Sequence, residues 1–176
     1  MIKYVFIFLA LVLANNSNYA QESIHRNPFW LNVAFGGSSK YLNAGASYNK
    51  ALENISYQIS INTIAEDILS KSGMTTGNIG IGFANCKDWL ISSVYLGPSV
   101  SYGNDFINSN EHAYFWGAGF AINLQSYFMP LHNLFPGVGL GVELFYNFNA
   151  YQTKDVSFKN VYAICIGFCL TNIHVK

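Results

Sequence analysis

The feature that most constrains this chain is an alternation of large apolar residues with small or polar ones, which recurs in eight stretches. The clearest runs are Ile55–Asn62 and Val138–Leu144. Successive side chains of a strand point to opposite faces, so each run has one apolar face and one face of Gly, Ser, Ala, Asn and Gln. The eight stretches together hold a single charged residue, Glu143. A polar face in contact with water would carry many charges, so the pattern indicates strands whose apolar face meets lipid.

The composition of the chain agrees with that interpretation. Its 176 residues fit one domain, and only 10% of them are charged while 16% are aromatic. A typical soluble protein has about 25% charged residues, so this chain has too few to cover a water-exposed surface. Nine basic and nine acidic residues balance, and Arg26 is the only arginine. The charge pattern therefore gives no indication of an electrostatic nucleic-acid-binding surface, and no nucleic-acid partner is expected.

The first twenty residues are predicted to be a secretory signal peptide. Lys3 supplies the positive charge, Tyr4–Ala14 the apolar segment and Asn15–Ala20 the polar segment before cleavage. Cleavage after Ala20 leaves residues 21–176 as the barrel domain, and cleavage after Ala14 is the alternative. An uncleaved helical anchor is a further alternative, but the apolar run is shorter than the ~20 residues that a span needs.

The alternation predicts an all-β fold with eight strands. These are Trp30–Gly36, Leu42–Tyr48, Ile55–Thr63, Ile79–Asn85, Leu90–Tyr102, Tyr114–Ser126, Val138–Phe148 and Tyr162–Leu170. Eight antiparallel strands close into an up-and-down barrel whose interior is filled by side chains, and closure removes the edges that lipid cannot satisfy. The sequence therefore predicts an eight-stranded transmembrane β-barrel. Ile64–Asn78 and Gly103–Ala113 are predicted to be long outer loops, and Pro98 predicts a bulge or bend in the fifth strand.

The parity of the strands predicts which side chains face lipid and which face the lumen. The lipid-facing set includes Ile59, Trp116, Ile122, Leu140 and Phe168. Both ends of the strands are rich in Tyr and Trp, as expected where a membrane barrel crosses the interfaces.

Glu143 stands out because its strand parity places it on the lumen face. A buried carboxylate needs partners, and no Lys or Arg is found at a lumen position. The sequence therefore predicts a structural hydrogen-bond network of Glu143 with Tyr95, Gln58, Gln125 and Asn147. The alternative is a catalytic or ion-binding acid.

From Phe29 to Leu170 the pattern resembles the small eight-stranded outer-membrane barrels, a group that includes OmpA-type and OmpX-type domains. The resemblance implies a non-porin protein in the outer membrane of a Gram-negative bacterium, in contact with outer-membrane lipid and without a cofactor. The predicted mature chain begins with Gln21, and in this it resembles exported proteins of Bacteroidetes-type bacteria.

Some barrels of this group are lipid A deacylases or acyltransferases. The deacylase pattern has a Ser two residues after its His, whereas here those positions hold Asn27, Tyr114, Leu134 and Lys176. No motif therefore supports catalysis, although a Ser–His pair assembled from distant positions stays open as an alternative.

The remaining metal-binding and redox residues carry no recognisable site. The four histidines lie in termini or connections without the short spacing of a zinc site: His25, His112, His132 and His174. Three cysteines cannot all pair within one chain, so Cys86, Cys165 and Cys169 are predicted to be small apolar filler residues or turn residues. A bridge between Cys86 and Cys169 is the alternative.

Two apolar connections are predicted to contact other envelope proteins. The turn Met129–Pro136 offers Met129, Leu131 and Phe135, and the longest outer loop offers Ile68 and Leu69. Local packing is the alternative for both. The first functional hypothesis is therefore a structural or accessory subunit of an envelope complex. A membrane-embedded lipid A-modifying enzyme is the second, and a secreted soluble barrel that binds a small apolar ligand with its apolar face inward is the third.

Overall fold

The structure is a computed structural model that describes residues 28–52, 55–66, 72–87, 89–108, 111–129, 135 and 137–173. The predicted signal peptide, with its two alternative cleavage sites, lies outside these residues. Eight strands form the fold: β1 Phe29–Gly37, β2 Leu42–Leu52, β3 Ile55–Ala65, β4 Gly73–Lys87, β5 Leu90–Asn108, β6 Glu111–Phe128, β7 Val138–Gln152 and β8 Asn160–Thr171. Each strand pairs antiparallel with the next, and β8 pairs with β1 to close the barrel. The prediction of an eight-stranded antiparallel barrel is confirmed.

The barrel has two distinct ends. We call the end where Trp30 of β1 pairs with Thr171 of β8 the terminal end, and the opposite end the loop end. The connections β2–β3, β4–β5 and β6–β7 lie at the terminal end, because β2, β4 and β6 run toward this end and β3, β5 and β7 run away from it. The loop end carries the other connections, including a single turn of 3-10 helix at Ser157–Lys159 before β8.

Several strands extend beyond their predicted bounds at the loop end. β4 begins at Gly73, where the sequence predicted Ile79. β5 continues to Asn108, beyond the predicted end at Tyr102, and β6 begins at Glu111, before the predicted start at Tyr114. The predicted long loops are therefore mostly strand. Pairing of β5 with β4 starts at Asn104, and pairing of β6 with β7 starts at Gly117, so the β5–β6 hairpin projects beyond its neighbours.

Of the two features predicted at Pro98, a bulge or a bend, the structure contradicts the bulge. The β4–β5 register is the same on both sides of this position, from Asn78 paired with Ser99 to Ile81 paired with Leu96. Only the two intervening residue pairs are missing from the ladder, and Pro98 keeps its place opposite Phe120 of β6. Proline has no N–H to donate, so the strand loses ladder contacts there without gaining a residue. The register shift in the β5–β6 pair lies farther on, between Phe106 and Asn108.

The apolar side chains of the alternating strands point outward. Ile59, Trp116, Leu140 and Phe168 are 46–59% exposed, and Ile122 is partly covered on the same wall. The polar and small side chains of the opposite parity are buried inside. The alternative of a soluble barrel with its apolar face turned inward is therefore wrong. Among the described residues, no helix has the length and apolar character that a bilayer crossing requires.

Candidate functional site: the sealed lumen

Glu143 lies inside the barrel on β7, opposite Gln125 of β6 and Cys165 of β8. Its Oε1 accepts hydrogen bonds from the Asn32 amide and from the Tyr127 hydroxyl. Asn32 Nδ2 also donates to the Tyr127 hydroxyl at 2.9 Å. Glu143 is 5% exposed, and its carboxylate accepts from two neutral donors, one on β1 and one on β6.

The network extends from Asn32 around the lumen wall. Asn32 Oδ1 accepts from Ser47 Oγ at 2.5 Å and from Asn49 Nδ2 at 2.7 Å. Asn49 Oδ1 in turn accepts from Gln58 Nε2 at 2.8 Å. These bonds connect Gln58 of β3 to Glu143 of β7 through two intermediate side chains.

Gln125 joins the same network from β6. Its Nε2 donates to Ser47 Oγ at 3.3 Å, and its Oε1 accepts from Trp30 Nε1 at 3.3 Å and from Ser93 Oγ at 3.2 Å. Side chains from β1, β2, β3, β5, β6 and β7 therefore share one hydrogen-bonded layer in the half of the lumen nearer the terminal end. Such a layer ties strands that are not neighbours in the sheet.

Asn147 belongs to a second network, nearer the loop end. Its Oδ1 accepts from Ser99 Oγ at 2.7 Å, and its Nδ2 donates to Asn149 Oδ1 at 3.3 Å. Asn149 also accepts from Ser101 Oγ at 3.0 Å and donates to the backbone carbonyl of Phe158 at 3.0 Å. The structure therefore separates Asn147 from the Glu143 network with which the sequence grouped it.

Tyr127 takes the position beside Glu143 that the sequence assigned to Tyr95. Both tyrosines belong to the same buried apolar cluster, but only Tyr127 has a hydrogen bond to the Glu143 carboxylate among the described residues. The predicted sixth strand ended at Ser126, one residue before Tyr127. Asn32 and Tyr127 both have the lumen parity of their strands, so extending the alternation by one residue finds Tyr127.

An apolar cluster closes the terminal end of the lumen. Its buried members are Trp30, Ala51, Ile91, Tyr95, Tyr127, Met129, Cys169 and Ile173. Met129 is 0% exposed, so its prediction as a surface contact for a partner is wrong. The reason is that the residue directly after β6 keeps the inward parity of Tyr127 and packs into the base of the barrel.

The β7–β8 connection caps the loop end of the lumen. Phe158 in the 3-10 helix is 0% exposed, and its ring lies 5.3 Å from that of Tyr41 and 5.9 Å from that of Phe115. Asp105 Oδ2 accepts from the Ser157 backbone N at 2.9 Å and from its Oγ at 2.7 Å. The Asp105 carboxylate of the projecting hairpin therefore holds the cap in place.

Tyr41 adds a further contact to this cap from the β1–β2 connection. Its hydroxyl donates to the Ser157 carbonyl at 3.4 Å. Burial raises the pKa of Tyr41 above its ordinary value, the Ser157 hydrogen bond opposes this increase in part, and the nearby Glu66 and Asp105 carboxylates add smaller increases. The hydroxyl therefore keeps its proton at neutral pH and remains a donor.

The filled lumen predicts that the protein does not conduct ions. Apolar clusters close both ends, and two polar layers fill the space between them, as expected of eight strands. Pure protein reconstituted in planar bilayers should give no stable conductance steps. Steady steps of a single size would contradict the sealed lumen and would require closure from more than one chain.

Removing the acceptor at Glu143 should destabilise the barrel. In Glu143→Leu the Tyr127 hydroxyl loses its acceptor, which should lower the free energy of unfolding by about 1–3 kcal/mol. Glu143→Gln keeps a carbonyl oxygen at the same place and should cost less than about 1 kcal/mol. Urea unfolding in lipid vesicles measures both. An equal loss in the two variants would show that the charge of Glu143, not its acceptor oxygen, is what the barrel uses.

The described cysteines are free thiols. Cys165 and Cys169 are buried on the lumen face of β8, and Cys86 is partly buried near the terminal end. Cys165 accepts a contact from Asn43 Nδ2 at 3.2 Å, and Cys169 packs in the cluster at the base. The alternative of a bridge between Cys86 and Cys169 is not found.

Side chains that could bind a metal ion are scattered in the described part of the chain. No group of three His, Cys, Asp or Glu side chains there is arranged to hold a metal ion. His25, His132 and His174 lie outside the described residues, and His112 lies in β6, where it pairs with Phe106 of β5.

The outer wall has an apolar band between two sets of aromatic side chains. Near the terminal end, Trp89 packs against Phe128 at 6.0 Å. Near the loop end, Tyr102 lies 4.7 Å from Trp116 and 6.1 Å from Tyr114 between ring centroids. From Trp116 to Phe128 along the tilted β6, the band is about 30 Å tall.

Charge is confined to the margins of this wall. Lys50 of β2 and Lys87 of β4 have outward parity but lie next to the terminal end. Between the aromatic sets, the outward positions hold no described charged side chain. An uncharged band of this height, bounded by Trp and Tyr, matches the hydrocarbon layer and interfaces of a bilayer.

Comparison with solved structures relates this barrel to known proteins. One similar structure is Ail of Yersinia pestis, which was solved in complex with the heparin analogue sucrose octasulfate. The match has a TM-score of 0.55 at 9% sequence identity and covers 84% of this chain and 99% of the Ail chain. Neisserial surface protein A gives 0.57 at 9% identity, covering 83% and 97%. The N-terminal β-barrel domain of Pseudomonas aeruginosa OprF gives 0.56 at 12% identity, covering 84% and 98%.

The fold is that of the small eight-stranded outer-membrane β-barrels. No protein-family model matches the chain, and no curated protein matches it. At identities of 9–12%, the likeness covers the course of the backbone and not the side chains of a site. The lumen networks and the cap are therefore described from this chain alone.

Proposed function

We propose that this protein is a non-porin outer-membrane β-barrel of a Gram-negative bacterium that serves as a structural or accessory subunit of an envelope complex. The observation that carries the proposal is a sealed lumen inside an uncharged outer wall. Because Phe158 closes one end and the Trp30 cluster the other, the inside offers no path for a solute. The protein is therefore proposed to act through its outer surfaces, which are the wall, the connections and the projecting hairpin.

The membrane location draws on two independent supports. The first is the apolar band between the Trp89 and Trp116 aromatic sets, which fits a bilayer. The second is the shared fold with Ail, Neisserial surface protein A and the OprF barrel domain. The finer assignment to a Bacteroidetes-type bacterium rests on Gln21 alone, and a mature amino terminus that starts elsewhere would remove that support.

Two exposed aromatic surfaces support contact with another protein. Phe135, in the connection after β6, is 59% exposed at the terminal end. The projecting β5–β6 hairpin presents Tyr114 and Trp116, which are 66% and 57% exposed, at the loop end. Large aromatic side chains give rigid contact area at low entropic cost. The predicted contacts Ile68, Leu69 and Leu131 lie outside the described residues and remain part of this proposal.

Photo-crosslinking in intact cells tests the proposed contacts. A photoreactive residue at position 135 or 69 should form a discrete crosslinked species with another envelope protein, whereas the same residue at the buried position 158 should not. The matched exposed control is position 154 in the β7–β8 connection. Products that contain only lipid, at all positions, would contradict a role in protein contacts.

Co-purification in mild detergent gives a second, quantitative readout. Phe135→Ser should weaken retention of the crosslinked partner by about tenfold if Phe135 is a central contact, and Lys154→Ser should leave it unchanged. A monomeric protein that adds or removes acyl chains on lipid A, and loses this activity on replacing one His or Ser, would establish the enzyme alternative instead.

A further inference from the structure

A groove of about 680 Å³ crosses the outer wall where β8, β1, β2 and β3 lie side by side. Its apolar rim includes Leu31, Val33, Tyr48, Ile59 and Phe168, and its smallest lining side chain is Ala46. Across the sheet, Ala46 pairs with Val33 on one side and Ile61 on the other. Because both neighbours are bulky and Ala46 ends at its Cβ, the wall is depressed along β2.

A lysine stands on the same face of β2 as this depression. Ala46, Tyr48 and Lys50 share outward parity, and Lys50 lies about 14 Å from Ala46 along the strand at ~3.4 Å per residue. Lys50 pairs with Phe29 and Tyr57, next to the Phe29–Tyr48 ring contact at 6.2 Å. The ammonium therefore lies in the aromatic margin of the wall, at the depth where lipid headgroups begin.

We propose that the groove binds one glycerophospholipid from the leaflet at the terminal end. Its phosphate lies against the Lys50 ammonium, and one acyl chain follows the outward face of β2 over Ala46. The inference rests on the proposed function, because it requires the barrel to span a membrane.

Charge complementarity decides between a lipid and other apolar occupants. In the described part of the chain, no carboxylate forms an ion pair with Lys50, so the phosphate supplies the missing anion. The cation, the aromatic margin and the apolar depression follow one another along a single strand. That order is the order of phosphate, glycerol region and acyl chain in a phospholipid. An acyl chain that fills the depression also restores the dispersion contacts that its lining side chains would otherwise lack.

Native mass spectrometry with dioleoylphosphatidylglycerol titrated into detergent micelles tests the proposal on the full mature chain. The wild type should retain one lipid per barrel. Lys50→Gln removes the cation and Ala46→Phe fills the groove, and each should weaken apparent lipid affinity about fivefold or more. The matched controls are Lys154→Gln in the β7–β8 connection and Ala118→Phe on the outer face of β6, and both should bind within about twofold of the wild type.

A heat-modifiable gel shift, in which the unheated barrel migrates faster, shows that each variant is folded. Ala46→Leu replaces Ala46→Phe if the larger side chain prevents folding. Three results would overturn the inference: no retained lipid in the folded wild type, equal losses in test and control variants, or a retained dimer that Ala46→Phe abolishes. All three leave a folded, inserted barrel, whereas failure of the membrane location on which the inference rests appears as a chain that does not insert at all.

Discussion

Replacing Ile59 or Ile122 with Arg should lower the free energy of unfolding in lipid bilayers by roughly 2–4 kcal/mol. Ile59 lies in the middle of β3, and Ile122 lies halfway between the aromatic positions Trp116 and Phe128 of β6. An arginine at either site would place its charge near the bilayer midplane. The measurement is urea-dependent unfolding in phospholipid vesicles, followed by tryptophan fluorescence.

The depth dependence of this cost provides the control. Leu52→Arg, at the terminal end of β2, should cost only ~0–1 kcal/mol because its charge reaches the interface. Leu140 lies near the start of β7, so Leu140→Arg should fall between the two. Equal effects at all depths would show that the wall does not face a hydrocarbon layer. Harmless substitutions at Ile59 and Ile122 would mean that the inner and outer faces have been assigned the wrong way round.

Replacing Gly82 with Ala should destabilise the barrel by about 3 kcal/mol, the upper part of the range for overpacking. Gly82 faces the lumen on β4, and a Cβ added there would lie 1.7 Å from the carbonyl oxygen of Val94 and 2.9 Å from the Cα of Tyr95. Both atoms belong to the backbone of β5, so β4 and β5 would have to separate. Unfolding in vesicles and the temperature at which the gel shift is lost both measure the effect.

Gly77 on the same strand is the matched control. It has the outward parity, and a Cβ added there meets nothing within 4 Å. Gly77→Ala should therefore leave stability unchanged or raise it by up to ~1 kcal/mol, because it reduces the freedom of the unfolded chain. A loss at Gly77 as large as that at Gly82 would show that strand flexibility, and not the close approach of β4 and β5, explains the glycines.

The alternation predicted the number of strands and which side chains point outward, because a strand in contact with lipid needs an apolar side chain at every second position. Where a strand leaves the lipid, that demand ends and the signal ends with it. Residues Gly73–Asn78 present Thr75 and Gly77 outward, and the hairpin beyond Asn104 is polar, so both were predicted as loops. Backbone pairing with a neighbour continues the strand there without an apolar pattern.

The lumen network shows a different limit of sequence reasoning. Parity predicted that Glu143, Gln58, Gln125 and Asn147 lie inside, but not at what height each lies along the barrel axis. Height depends on the register of eight successive pairings, and this register separates Asn147 from Glu143. It also makes Tyr127 the neighbour of Glu143.

The cap could not be predicted from the alternation, because it lies in a connection. Phe158 sits in a short polar segment, and its burial depends on the distant Asp105 carboxylate that binds Ser157. Nothing in the local sequence distinguishes this buried phenylalanine from the exposed Phe135 of the β6–β7 connection. Only the closed ring of strands brings Asp105, Tyr41 and Phe158 to one opening.

Fractionation of cell envelopes combined with the heat-modifiable gel shift tests the central claim, a closed barrel that spans the outer membrane, most directly. The mature protein should sediment with outer membranes, resist extraction by alkaline carbonate and migrate faster when unheated, because the closed barrel survives in detergent. Recovery as a soluble protein whose migration does not change on heating would contradict a membrane-spanning barrel.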